Sequence, residues 1–88
     1  MAWNFKFTEK ADRSFAKLDK AIQQRILKKL SSVCASGQPT ASGKALVDDL
    51  VGLWRYRVGD YRVICSIEDN ELVVLVVDIE HRSVAYKR

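Results

Sequence analysis

Three arginines, Arg55, Arg57 and Arg62, flank a Gly59-Asp60 pair, and Glu80-His81-Arg82 and Tyr86 follow near the C-terminus. Guanidinium groups are permanently charged forks that match phosphate oxygens. An imidazole is the side chain suited to moving a proton at physiological pH. A phenol can donate or accept a hydrogen bond. Together these types suit a site that binds phosphate. Each also has an ordinary explanation. Arginines lie solvated over apolar strands, a single His is commonly a surface or capping residue, and Tyr86 can simply pack the chain end.

Other chemistries fit less well. Cys34 and Cys65 are too few for a disulfide framework, and His81 is the only histidine, so a zinc site lacks ligands. There is no Cys-x-x-Cys and no paired-histidine motif. The Gly43-Lys44-Ala45 stretch lacks the upstream glycine and the following Ser or Thr of a phosphate loop. Metal and nucleotide cofactors are therefore not expected. The chain has 88 residues, 48% hydrophobic and 30% charged, with four Gly and one Pro, which fits one globular domain over 1–88 rather than a disordered chain. No apolar run nears the roughly 18 residues of a membrane span. The N-terminus lacks a signal-peptide pattern, so a cytoplasmic protein without a membrane partner is expected. Net charge is +4, a mild lean toward nucleic acid or an acidic protein. Residues 1–51 hold nine Lys/Arg against five Asp/Glu, and residues 52–88 hold six of each, so the surplus lies in the first half.

The elements that must position the arginines are legible along the chain. Trp3, Phe5 and Phe7 alternate with polar residues, the period of a half-buried strand. Thr8 then reads as an N-cap, with Glu9 favourable in the first turn. Ala11, Phe15 and Leu18 form the apolar side of a helix over Glu9 to Leu18. Asp19 reads as a second cap, and Ile22, Ile26, Leu27, Leu30, Val33 and Cys34 form the stripe of a longer helix ended by Gly37 and Pro39. Gln38 to Gly52 reads as a loop with a turn of helix near Ala45 to Leu50. Leu53 to Val58, Tyr61 to Ile67 and Leu72 to Asp78 read as strands. The order is β-α-α-β-β-β: an α+β fold, a helical hairpin on one face of a mostly antiparallel four-stranded sheet. The unbroken apolar run Leu72 to Val77 suits a central strand, with the first strand alongside it.

Two-residue turns at Gly59-Asp60 and Asp69-Asn70 would make two successive hairpins. The first places Arg57 opposite Arg62 and Arg55 opposite Ile64. The second pairs Glu68 with Glu71, which places Arg62 opposite Val77 and Ile64 opposite Leu75. One face then carries Arg55, Arg57, Arg62, Ile64, Ser66, Val73, Leu75 and Val77. The other carries Trp54, Tyr56, Val58, Tyr61, Val63, Cys65, Ile67, Leu72, Val74 and Val76, the core under the helices. Like charges directly opposite destabilise a sheet. No carboxylate is expected to neutralise the arginine face except at strand ends, so its arginines read as a phosphate cup, with His81, Arg82 and Tyr86 arriving beside them.

The stretch Gly52-Leu53-Trp54-Arg55-Tyr56-Arg57-Val58-Gly59-Asp60-Tyr61-Arg62-Val63-Ile64, and the ending Val77-Asp78-Ile79-Glu80-His81-Arg82 through Tyr86, resemble the RelE/ParE toxin superfamily over nearly the whole chain. The likeness is greater to its RelE-type mRNA interferases. It implies a toxin of a type II toxin–antitoxin pair that cleaves mRNA in the ribosomal A site without metal, by attack of a ribose 2′-OH on the adjacent phosphate. The family's hairpin basic positions fall on Arg55 and Arg57, its phosphate-holding arginine on Arg62, its C-terminal basic residue on Arg82 and its base-stacking tyrosine on Tyr86. His81 matches a common family histidine and is the candidate proton shuttle. Some members carry lysines at the first two positions, and others use an acidic residue before the hairpin, where this chain has Asp48 and Asp49. Implied partners are a cognate antitoxin, the ribosome with its mRNA and ribosomal RNA, and operator DNA only through the antitoxin. Lys10, Arg13, Lys17, Lys20, Arg25, Lys28 and Lys29 would face solvent on the helices, available to ribosomal RNA phosphates. Two rival functions share the fold: a gyrase inhibitor, and a catalytically degenerate antitoxin-binding module.

Overall fold

The computed structural model describes residues 2–85. Phe5 and Phe7 turn inward from strand β1 (Asn4–Phe7). Thr8 then starts helix α1 (Glu9–Ala16), its Oγ1 accepting from the Ala11 N–H at 3.1 Å. Helix α2 (Lys20–Ser36) begins at Asp19, as expected, but Asp19 makes no side-chain capping bond; only its carbonyl serves, accepting from Gln23 N–H. Helices α1 and α2 contribute Ala11, Ile26, Leu30 and Val33 to the core, with Phe15 and Ile22 around them. None of the described helices is long and apolar enough to cross a membrane.

The remaining elements are β2 (Lys44–Ala45), β3 (Trp54–Val58), β4 (Tyr61–Glu68), β5 (Val73–His81) and a final turn of helix, α3 (Arg82–Ala85). Single 3₁₀ turns lie at Pro39–Ala41 and Asp48–Leu50. The sheet order is β1-β5-β4-β3-β2, with β1 parallel to β5 and the other pairs antiparallel. The α+β class and the central place of β5 beside β1 match expectation. The strand count does not. Lys44–Ala45 pairs with Arg55–Trp54 and makes a fifth strand.

That strand is two residues long and carries no readable period. What makes it is backbone contact. Gly43 has φ +80, and a Cβ there would fall 2.3 Å from the Arg55 carbonyl oxygen, a contact only glycine permits. Two aromatic donors of β3 tie down the same segment: Trp54 Nε1–H donates to the Ser42 carbonyl at 2.7 Å, and Tyr56 O–H donates to the Pro39 carbonyl. The helix-facing side of the sheet is Tyr56, Val58, Val63, Cys65, Val74, Val76 and Ile79. Leu72, expected on that face, instead sits in the β4–β5 turn with φ +56.

The second hairpin is the main correction. Four residues, 69–72, connect the strands, and Glu68 pairs with Val73 rather than Glu71. The register runs regularly to Cys65 opposite Val76, then slips: Ile64 is opposite Asp78, which leaves Val77 as the extra residue of a β-bulge. The bulge moves everything after it to the other face. Strand β5 therefore continues to His81, with Arg62 opposite Glu80 and Tyr61 opposite His81.

Candidate functional site

Directly opposed residues in a sheet share a face, so the face away from the helices carries two cross-strand rows. One runs Lys44, Arg55, Ile64, Asp78 and the other Arg57, Arg62, Glu80. Both run from basic on β2 and β3 to acidic on β5. The opposition of Arg57 to Arg62 and of Arg55 to Ile64 follows the expected register.

The expectation of a face without a carboxylate fails. Arg62 Nη2 lies 3.1 Å from Glu80 Oε1, and the two side chains are only 19% and 6% exposed. A buried carboxylate demands such a partner, because an isolated ion out of water is costly. Ile64 is buried beneath the same face. Arg55 is half-buried and Arg57 is exposed. Asp78 accepts from the Ile79 N–H at 2.8 Å and pairs with Lys10 of α1 at 3.4 Å.

The C-terminal candidates arrive differently from one another. Arg82 is joined to the β3–β4 turn: its N–H donates to the Asp60 carbonyl at 2.7 Å, and its guanidinium lies 3.7 Å from the Asp60 carboxylate. Exposed His81 does not stand beside the arginines. It pairs with Tyr61, whose ring it meets edge-on at a centroid distance of 5.1 Å, and Tyr61 packs against the core. His81 thus belongs to the helix side of the sheet, at its end, while Arg62 and Glu80 face the other way. The bulge caused this, because it switched the alternation of β5. His81 Nδ1 is engaged by the Ser83 hydroxyl at 2.9 Å and the Ser83 N–H at 3.2 Å, so among the described residues Nε2 is the ring nitrogen without a hydrogen bond. Tyr86 lies outside the described residues.

Beyond β2, the edge of β3 leaves a second basic feature. A groove of about 410 Å³ is lined by Arg25, Lys28, Lys29 and Ser32 of α2 with Arg57 and Val58. Exposed Arg57 therefore belongs to both the arginine row and this groove. Lys29 Nζ also stands 5.8 Å from the centre of the Tyr56 ring. Lys10 and Arg13, expected to face solvent, do so while engaged with Asp78 and Glu9.

Neither thiol is poised as a nucleophile. Burial, with Cys34 nearby, pushes Cys65 up to about 12, and burial also raises Cys34. Burial first, then the two thiols, raises Tyr56 well above the usual phenol range. Among the described residues, no three His, Cys, Asp or Glu side chains converge as a metal site.

Sequence reasoning missed Glu80 as the partner of Arg62 and Asp60 as the partner of Arg82. A signal for Glu80 existed. After the apolar run, Asp78-Ile79-Glu80-His81 alternates polar and apolar at the strand period, which carries β5 on to its observed end at His81.

A family model described as the ParE toxin of the type II toxin–antitoxin system parDE matches residues 5–86. The chain is 35% identical over 71 residues to Toxin RelE of Mycobacterium tuberculosis, covering 73% of each. It is 30% identical over 88 residues to Toxin RelG of the same organism, covering all of both. Among solved structures, a chain of the toxin–antitoxin complex RelBE2 from Mycobacterium tuberculosis superposes with a TM-score of 0.81 at 26% identity, covering 93% of this chain and 100% of that one.

Proposed function

The chain belongs to the RelE/ParE toxin superfamily, and from that membership we propose that it is a ribosome-dependent endoribonuclease that cuts mRNA in the A site. One observation carries the reading: Arg57 and Arg62 stand directly opposed on one sheet face, with Arg55 two residues before Arg57 on the same strand. Two permanent cations forced into register oppose folding, and an anion between them turns that opposition into binding.

In the proposed reaction the ribose 2′-oxygen attacks the adjacent phosphorus. The bond to the 5′-oxygen breaks, and a cyclic phosphate and a free 5′-hydroxyl result. Negative charge grows on the phosphoryl oxygens, and Arg55, Arg57 and Arg62 stabilise it. Arg82, anchored at the Gly59-Asp60 turn, adds a further cation. His81 is assigned proton transfer through Nε2, and Tyr86 stacking on a base. The face-to-face separation of His81 from Arg62 asks that RNA pass around the strand end, where Tyr61, His81 and Arg82 meet the turn.

The proposed partners are a cognate antitoxin, the translating ribosome, and operator DNA through the antitoxin; the solved relatives include toxin–antitoxin complexes. A second reading, gyrase inhibition, has one observation in its favour, the family model named for ParE toxins. Purified protein added to cell-free translation of a reporter mRNA tests both. Cleavage within codons on ribosomes, with little cutting of the same mRNA alone, is the expected result. Intact mRNA and unimpaired translation, alongside inhibited gyrase supercoiling, would replace the nuclease by the gyrase inhibitor.

A further inference from the structure

We propose that Glu80 is a positioning residue: it draws Arg62 toward β5 and so holds open the space between Arg62 and Arg57 that a phosphate enters. The proposal rests on the nuclease reading for its consequence, and on geometry for the contact itself.

Arg57, Arg62 and Glu80 occupy one row on three successive strands. Directly opposed residues start only about 4.5–5.5 Å apart at Cβ, so two guanidinium groups on β3 and β4 must diverge. Arg57 diverges toward solvent and the α2 groove. Arg62 has the other direction, toward the Glu80 carboxylate, which it meets at 3.1 Å through Nη2. With 6% exposure Glu80 has little freedom to move, so the arginine is fixed on a rigid support. Its Nε is buried with no hydrogen-bond partner among the described residues, which places the burden of orientation on the far end of the guanidinium, where Glu80 is. Preorganised charge is what a developing phosphorane requires, and small misplacements of such a group are costly in rate. Glu80 also removes net positive charge from the face. It should therefore weaken general attraction to RNA while sharpening the chemical step.

Glu80→Gln keeps the volume and removes the charge. The single-turnover cleavage rate on saturating programmed ribosomes should fall by about ten- to hundredfold, while apparent affinity for ribosomes stays equal or tightens. A partner that only stabilised the fold would not separate these two constants. Glu80→Asp, which keeps the charge, should recover part of the rate. In an Arg62→Gln background, where no guanidinium is left to position, Glu80→Gln should lower the rate no further. A readout independent of cleavage is the side-chain nitrogen spectrum of Arg62. Slow guanidinium rotation in the wild type and fast rotation in Glu80→Gln supports the proposal. Equal mobility in the two proteins, or a wild-type rate in folded Glu80→Gln, overturns it. If the wild type cuts no mRNA yet Arg62 is immobile only when Glu80 is present, the nuclease reading falls and the positioning role of Glu80 stands.

Discussion

The two hairpins that share β4 are built by different rules. The β3–β4 hairpin turns on Gly59-Asp60 and keeps one register from Val58–Tyr61 to Trp54–Cys65. The β4–β5 hairpin uses four connecting residues, puts Leu72 at φ +56 and inserts Val77 as an extra residue. The regular hairpin creates an electrostatic problem by opposing Arg57 to Arg62. The irregular one answers it by bringing Glu80 onto the same face. The irregularity is also held from outside the hairpin. Thr8 N–H donates to the Val76 carbonyl at 2.9 Å, Thr8 O–H to the Val77 carbonyl at 3.4 Å, and Lys10 pairs with Asp78. The start of α1 therefore helps decide which face the last four residues of β5 present.

The two opposed arginines should then differ sharply in what they do for stability. Arg62→Ala leaves the Glu80 carboxylate buried without its arginine and is expected to cost about 3–5 kcal/mol. Arg57→Ala removes an exposed side chain and should change stability by less than about 0.5 kcal/mol, although both substitutions should lower the single-turnover cleavage rate strongly. Urea titrations of the two variants give the comparison. Equal losses would mean that Glu80 does not depend on Arg62.

The turns offer a subtler contrast. Gly59 sits at φ +57, and Gly59→Ala should cost about 1 kcal/mol from the left-handed backbone alone. Leu72→Gly relieves a comparable strain but gives up half-buried apolar area, so its net change should stay within about 0.5 kcal/mol. Thermal denaturation of both, side by side, checks this.

The last effect concerns Cys65, which lies opposite Val76 where the bulge begins. Its thiol is pushed up to about 12 in the folded protein, against about 8.5 when unfolded. Below about pH 8.5 the thiol is neutral in both states and its contribution is complete. As pH rises, only the unfolded chain ionises, so stability declines until the folded thiol also titrates. Between pH 7 and 9 the loss from Cys65 should be about 0.8 kcal/mol, and Cys65→Val should show a correspondingly flatter profile in urea titrations.

Much of this was legible from residue order. Thr8 and Gly37 bound the helical region because capping and chain reversal are local events. The Arg57–Arg62 opposition was legible because a two-residue turn propagates its register outward, one pair at a time. The apolar run of β5 marked a central strand since both faces of such a strand need burial. Strand β2 was hidden, for Lys44–Ala45 is recognisable only by its contact with β3 and by the space that Gly43 leaves.

The sequence by itself thus determined the two-layer α+β arrangement, the helix stripes and a row of opposed arginines, all consequences of periodicity and short turns. Tertiary structure decided which residues complete that row. A bulge has no residue signature of its own. Here Val77 is displaced within an unbroken apolar run, and any residue of that run satisfies the same hydrophobic pattern. The choice was made by hydrogen bonds from Thr8, nearly seventy positions away, and by the need of a buried Glu80 for a cation. That single slip placed Glu80 against Arg62 and carried His81 to the opposite face, beside Tyr61. Side-chain alternation has a period of two, so one extra residue was enough to reverse both.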